Sequence, residues 1–158
     1  MTDAAAPASS APLYRAEALV AYADALLQKA GLAAPKAAVV ARTLVEGDLL
    51  GHDTHGLALL AGYVKELESG GMTRDGAPEV LSDRPAAVLW DGRRLPGPWL
   101  MDQGMNLLVP RARELGTASL VIRRSHHIAC LAVYMLRALH EDMLMLLACS
   151  DPNAASVA

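Results

Sequence analysis

No Gly-x-Gly-x-x-Gly run occurs anywhere in the 158 residues, so the ordinary dinucleotide fingerprint is missing. The glycine-rich P-loop is missing as well. So are a His-Glu-x-x-His helix, a Cys-x-x-Cys pair and a Gly-x-Ser-x-Gly elbow. These absences move P-loop hydrolases, zinc proteases and serine hydrolases out of the front rank. Basic charge is scarce too. The formal net charge is -3, and the nearest candidate for a basic stripe, Arg123-Arg124, is two residues long. A nucleic-acid partner is therefore not expected. Cysteine is limited to Cys130 and Cys149, both in apolar sequence surroundings. They read as reduced core thiols of a cytoplasmic protein. The longest apolar run, Met143 to Cys149, is far too short to span a bilayer. A positive region followed by an apolar one is absent from the N-terminus, so no secretory signal is read there.

The chain that remains is 53% hydrophobic, enough to bury a core. Residues 1–12 are rich in Ala, Ser and Pro and read as a floppy lead-in. Residues 13–74 read as a helical segment. Leu19, Tyr22, Leu26 and Ala30 recur at helical steps before Gly31. Pro35 fits the first turn of a second helix, with Val39, Val40, Leu44 and Leu49 inward and Gly51 closing it. A third helix is expected from about His55 to Ser69, capped by Asp53 or Thr54. From residue 75 the pattern changes. Glu79 to Ser82, Ala86 to Trp90, Ala118 to Ile122 and Met143 to Ala148 read as strands. They alternate with helices over Gly97 to Leu115, where Pro110 predicts a kink or break, and Ala129 to Leu139. The class is α+β (α/β-like): a helical segment, then the first part of an α/β layer over residues 75–158.

Four of the five histidines fall in two polar knots. The first is Gly51-His52-Asp53-Thr54-His55-Gly56, between two apolar helices. If His55 opens the third helix, Leu59 and Tyr63 share its face, and the positive helix end disfavours the imidazolium. Thr54 can then bond the imidazole or cap the helix, and Gly56 leaves room for a ligand. The second knot, Arg123-Arg124-Ser125-His126-His127, follows a strand and precedes a helix, where open sheets present ligand loops. Small Ala129 and Ala132 would let a flat ring approach. Histidine is the side chain whose proton moves near neutral pH, so paired knots suggest proton transfer. Spacing alone also fits a capped helix start and a polar strand-helix turn. It also admits a metal-dependent hydrolase using His52, His55 and His127, although a third metal ligand is not in place beside the first two.

The residues carry a resemblance that decides between these. Glu46-Gly47-Asp48-Leu49-Leu50-Gly51-His52-Asp53-Thr54-His55-Gly56-Leu57 resembles the signature of the malate/L-lactate dehydrogenase family, which also contains ureidoglycolate dehydrogenase and 2,3-diketogulonate reductase. Val121 to Ile128 is similar to that family's Ser-x-His segment, and Ser150-Asp151-Pro152 to its polar turn after the next strand. The resemblance covers residues 13–158. It implies an oxidoreductase that moves hydride between NAD or NADP and a small 2-hydroxy or 2-oxo acid. It implies a non-Rossmann cofactor-binding fold and a homodimer, with no metal in the site. By carry-over His55 is the proton donor to the substrate carbonyl, and Thr54 the hydroxyl that orients it. His127 matches the histidine beside nicotinamide and substrate, which some members use as the proton acceptor. Tyr63 and Ser125 would touch substrate. His127, Ile128, Ala129, Cys130, Leu131, Ser150 and Asp151 would line the cofactor. Leu59 stands where many members carry a carboxylate-gripping arginine. The family continues well beyond these residues. The resemblance therefore implies an N-terminal part, about the first half, that does not turn over alone. The other reading that stays open is a non-catalytic remnant acting only with a partner chain.

Overall fold

A computed structural model describes residues 12–150. The helical segment comes first. Helix α1 (Ala16–Lys29) and helix α2 (Ala34–Leu49) form an antiparallel hairpin turned at Gly31, whose φ of 96° suits glycine. Pro35 sits in the first turn of α2, where its missing N–H costs nothing. Two 3-10 turns, Asp53–His55 and Leu57–Leu59, lead into α3 (Leu60–Ser69), which ends on left-handed Gly70. The core is built from Ala23 and Leu27 of α1, Ala37, Val40, Ala41 and Leu44 of α2, and Leu60, Tyr63 and Leu67 of α3. Leu32, Met72 and Ala129 close it. The buried stripes differ in part from those read in the sequence. Tyr22 and Leu49 are 63% and 70% exposed, and Ala23 and Leu27 take the α1 seam. Small alanines let the two helices approach closely, so the larger side chains one step away are turned outward.

The sheet has three strands in the order β1-β2-β3: β1 (Glu79–Arg84), β2 (Ala87–Asp91) and β3 (Ser119–Arg123). The first pair is antiparallel across a tight turn, and the second is parallel. Helix α4 (Gly97–Leu115) makes the parallel crossover. Pro110 neither ends nor splits α4. Pro110 itself is exposed on the C-terminal part of the helix. A Cβ on Gly104 would lie 2.7 Å from the Leu120 side chain of β3, so helix and sheet are in close contact there. Helix α5 (Leu131–His140) follows β3.

Two expectations for the end of the chain are corrected. Residues 143–148 are extended, with Met143, Met145 and Leu147 half-buried and Leu144 and Leu146 fully exposed, but they form no strand. A strand needs a hydrogen-bonded neighbour, and no described residue supplies one. Cys149 is exposed on the same stretch, whereas Cys130 is buried as expected. Among the described residues no helix is long and apolar enough to cross a membrane.

Helix α5 ends in a turn with one costly residue. Met143 N–H donates to the Ala138 carbonyl and Asp142 N–H to that of Leu139, while Asp142 holds φ of 56°. This is the position where helices prefer glycine, and an acid there also opposes the negative helix end. Asp142→Gly is expected to stabilise the fold by about 1 kcal/mol. A thermal unfolding scan checks it, and a lower melting temperature would refute it.

Candidate active site

The first knot is built differently from the expectation, although the Thr54 hydroxyl does face the His55 imidazole as one reading had it. Gly51, at φ of 80°, turns the chain out of α2, and the His55 N–H donates to the His52 carbonyl (2.8 Å). His55 therefore sits in a 3-10 turn, five residues before Leu60, and not in the first turn of α3. The helix-end argument and the shared face with Leu59 and Tyr63 do not hold. The following turn is closed by neither Asp53 nor Thr54. Asp48 does it, reaching from α2 to accept the Leu57 N–H on Oδ2 (2.9 Å). Gly56 is buried against that carboxylate, where a Cβ would fall 1.9 Å from Asp48 Oδ1. Its bareness makes room for Asp48, not for a ligand. Gly47 lets the His55 carbonyl come within 3.1 Å of where its Cβ would be. The whole Gly47-to-Gly56 block is thus a device for seating one exposed histidine. Thr54 Oγ1 lies 2.9 Å from His55 Nδ1.

The second knot is held by backbone groups. After β3, the His126 N–H donates to the Leu95 carbonyl (3.1 Å) and the Ser125 hydroxyl to the His126 carbonyl (2.7 Å). His127 Nδ1 accepts the Ala129 N–H at 3.0 Å, with Ala129 at φ of 58°. The Tyr134 hydroxyl donates to the Ile128 carbonyl (2.5 Å). From the helical layer, Tyr63 donates to the His127 carbonyl (2.8 Å) and lies 3.4 Å from its Nδ1. Burial pushes the Tyr63 hydroxyl far above the usual phenol range, so it stays protonated as the donor. Gly97 backs the turn, for a Cβ there would stand 2.3 Å from the His127 carbonyl oxygen.

These constraints bring His55 and His127 together. Their ring centroids are 5.7 Å apart and the planes are tilted by 32°. Both residues are exposed. His126 turns the other way. It packs edge-on to Tyr63 at 5.6 Å and points Nε2 at Glu66 (3.7 Å), and burial lowers its pKa.

Tyr63 is the strut between the two layers. Tyr63→Phe leaves the His127 carbonyl without its donor and is expected to cost about 1–3 kcal/mol. Urea unfolding measures this, and an unchanged midpoint would sink the strut.

The remaining expected site residues are scattered. The Ser125 hydroxyl is spent on the His126 carbonyl. Ala129 and Cys130 are each 2% exposed, so their side chains face the core. Ile128 and Leu131 are half-buried beside them, and Ala132 is half-buried in the first turn of α5. Leu59 is partly buried and packs on the core. Ser150 is exposed and Asp151 lies outside the described residues. Asp48 and Gly97 were not singled out in the sequence. The hint of Asp48 was its place inside the Glu46-to-Leu57 signature, between Gly47 and Gly51. Among the described residues no group of three or more His, Cys, Asp or Glu side chains is placed to hold a metal.

Comparison with known proteins agrees with this architecture. The family model described as malate/L-lactate dehydrogenase matches residues 14–158. Hydroxycarboxylate dehydrogenase B of Escherichia coli O157:H7 is 29% identical over 115 residues, covering 73% of this chain and 32% of that protein. Malate dehydrogenase of Pyrococcus horikoshii is 31% identical over 119 residues, covering 75% and 33%. The solved structure of malate dehydrogenase from Pyrococcus horikoshii OT3 superposes with a TM-score of 0.77 at 29% identity, over 80% of this chain and 36% of that one. A putative malate/lactate dehydrogenase from E. coli gives 0.78 at 25%, over 83% and 37%. The chain spans about a third of the length of the curated relatives it matches.

Proposed function

This chain belongs to the malate/L-lactate dehydrogenase family, and from that premise we propose that it is the N-terminal part of an NAD(P)-dependent dehydrogenase of small 2-hydroxy acids. The relatives are named for malate, lactate, sulfolactate and pyrroline-2-carboxylate. A small acid with an oxygen or nitrogen at C2 is the shared chemistry. The nicotinamide, when bound, supplies or accepts the hydride at that carbon. The protein's part is to manage the proton on the oxygen.

The single observation that carries this reading is the pair of exposed imidazoles 5.7 Å apart. That spacing is too narrow to sandwich a flat ring, which needs about 7 Å, so the nicotinamide must lie beside the pair. It does suit two rings that both reach one substrate oxygen. The exposed rings and the turn at the carboxyl end of β3 leave that side open, where sheets of this kind take ligands.

The two rings have different partners and therefore different roles. His55 Nδ1 faces a hydroxyl, which can accept or donate. Either protonation state of His55 keeps its partner, so His55 can give a proton to the substrate oxygen in reduction and take it back in oxidation. His127 Nδ1 faces a backbone N–H, which can only donate. That bond requires Nδ1 to be bare and places the ring proton on Nε2. His127 is thus a fixed neutral donor that polarises the same oxygen, not the acceptor of the proton.

The test is an assay of the full-length protein with NADH and NADPH against oxaloacetate, pyruvate, sulfopyruvate and pyrroline-2-carboxylate. Oxidation of either cofactor with one of these acids is the expected result. Failure with all of them, in a folded protein, would favour the non-catalytic reading. Because the matched residues cover only about a third of the relatives' length, residues 1–158 expressed alone are expected to be inactive. The cytoplasm, where such cofactors circulate, and a homodimer complete the proposal.

A further inference from the structure

The carboxyl ends of β2 and β3 gather four arginines that the histidine pair does not use. Arg93 and Arg94 follow β2, Arg123 closes β3, and Arg124 follows it. Asp91 and Arg123 are register partners. Asp91 is fully buried and spends both oxygens on this cluster. Oδ2 accepts Arg123 Nε–H, and Oδ1 accepts Arg124 Nε–H and the Arg93 N–H, each at 2.9 Å. Bonds through Nε fix the two guanidinium planes and leave their outer Nη groups uncommitted to Asp91. Those side chains remain 59% and 62% exposed. The Arg93 and Arg94 side chains make no hydrogen bond or ion pair among the described residues. The acids nearby are few. Glu79, the register partner of Asp91, acts on Arg124, and Glu66 is directed at His126.

The frame that carries these arginines is rigid. Thr73 Oγ1 and N–H donate to the carbonyls of Arg93 (2.7 Å) and Arg94 (2.9 Å). Gly92 N–H and Arg94 N–H donate across to the carbonyls of Arg123 and Arg124, both at 2.8 Å. Arg93, Arg94 and Arg124 also hold left-handed backbone, with φ of 52°, 60° and 51°. Glycine or asparagine would take those positions at lower cost. A surface that only needed a turn would not need arginine three times. Four guanidiniums against Asp91 and Glu79 leave an excess of positive charge, with planar N–H edges free for a tetrahedral anion.

We propose that Arg93, Arg94, Arg123 and Arg124, held by Asp91, form a binding site for a phosphate group. The Leu95–His126 backbone bond joins this loop directly to the turn that carries His127. The phosphate could therefore belong to the nucleotide cofactor, or to a substrate or a free anion. The site does not rest on the hydride-transfer reading, because it is read by binding without any reaction.

The experiment is calorimetric titration of the full-length protein with inorganic phosphate at constant ionic strength, against sodium chloride as blank. One saturable site is expected. The double variant R93Q/R94Q is expected to weaken it by about tenfold or more. R93K/R94K, which keeps the charge, should recover part of that loss. The melting temperature of both variants should match the parent, because the substituted side chains hold nothing. No heat beyond the chloride blank, or equal binding by R93Q/R94Q, would overturn the site. If the variant's melting temperature fell, the lysine variant's binding would decide: the parent's affinity or a partial loss supports the site, and no binding overturns it. Competition identifies the source. Displacement of phosphate by NADP but not NAD assigns the 2′-phosphate, displacement by both assigns the pyrophosphate, and displacement by neither assigns a phosphate outside the cofactor.

Discussion

Replacing His55 by asparagine is expected to lower kcat for 2-oxo acid reduction by about 10²- to 10⁴-fold, the usual worth of a positioned proton donor. Asparagine can still face Thr54, so the turn from Asp53 to Leu59 should survive and the loss should be chemical. The pH dependence separates this from general damage. The parent's rate should follow one ionisation in the free enzyme, and the variant's residual rate should lose that limb. His127→Gln gives the complementary result. A glutamine amide can take the place of Nε2–H as a neutral donor, so it should keep more activity than His127→Ala and keep the pH limb. Should H55N retain kcat within about threefold, or H127Q lose the pH limb while H55N keeps it, the roles assigned to the two rings would be reversed or void.

The second large effect lies outside the histidines. Gly97→Ala would drive a Cβ to 2.3 Å from the His127 carbonyl oxygen and 2.5 Å from that of His126. These are backbone atoms and cannot rotate away. Either α4 or the histidine turn must move, at a cost of about 1–3 kcal/mol or more. The melting temperature should fall by about 2–4 °C for each kcal/mol. Activity should fall further than stability, because the displaced turn carries His127 and holds the Tyr63 bond. Gly62→Ala is the control. Nothing lies within 4 Å of its Cβ position, and it sits inside α3. Alanine there should stabilise by about 1 kcal/mol and leave kcat alone. Equal behaviour of the two variants would show that contact at Gly97 does not position the site.

Much of this fold was legible in the residues, for identifiable reasons. Helices α1 and α2 were marked by period and by stopping glycines, and β1 to β3 by short apolar runs and turn residues. Pro110 reads as a breaker, yet α4 continues through it, exposed, to Leu115. The other misreadings share a cause: they needed information from across the fold. His55 reads as a helix start until Asp48 is seen accepting the Leu57 N–H, nine residues on. The apolar stretch from Met143 has a strand's alternation but no described neighbour to pair with. The site was legible only as two knots of histidine. That they meet, and that Tyr63 ties the helical layer to the second of them, depends on how the helical layer docks on the turn after β3. No local pattern encodes that docking.

The bond from Ala129 to His127 bears on how the site can change by mutation. Thr54 can be lost from beside His55 in one codon change. The donor to His127 belongs to the peptide backbone, and every residue but proline brings the same N–H. Proline fixes φ near -65°, and this position sits at +58°, so proline would break the turn before it could delete the bond. Side-chain substitution around the turn can therefore alter the size and charge of the surface beside His127 while the bond that sets its tautomer persists. Mutational drift in substrate preference is uncoupled here from the placement of one of the two ring protons.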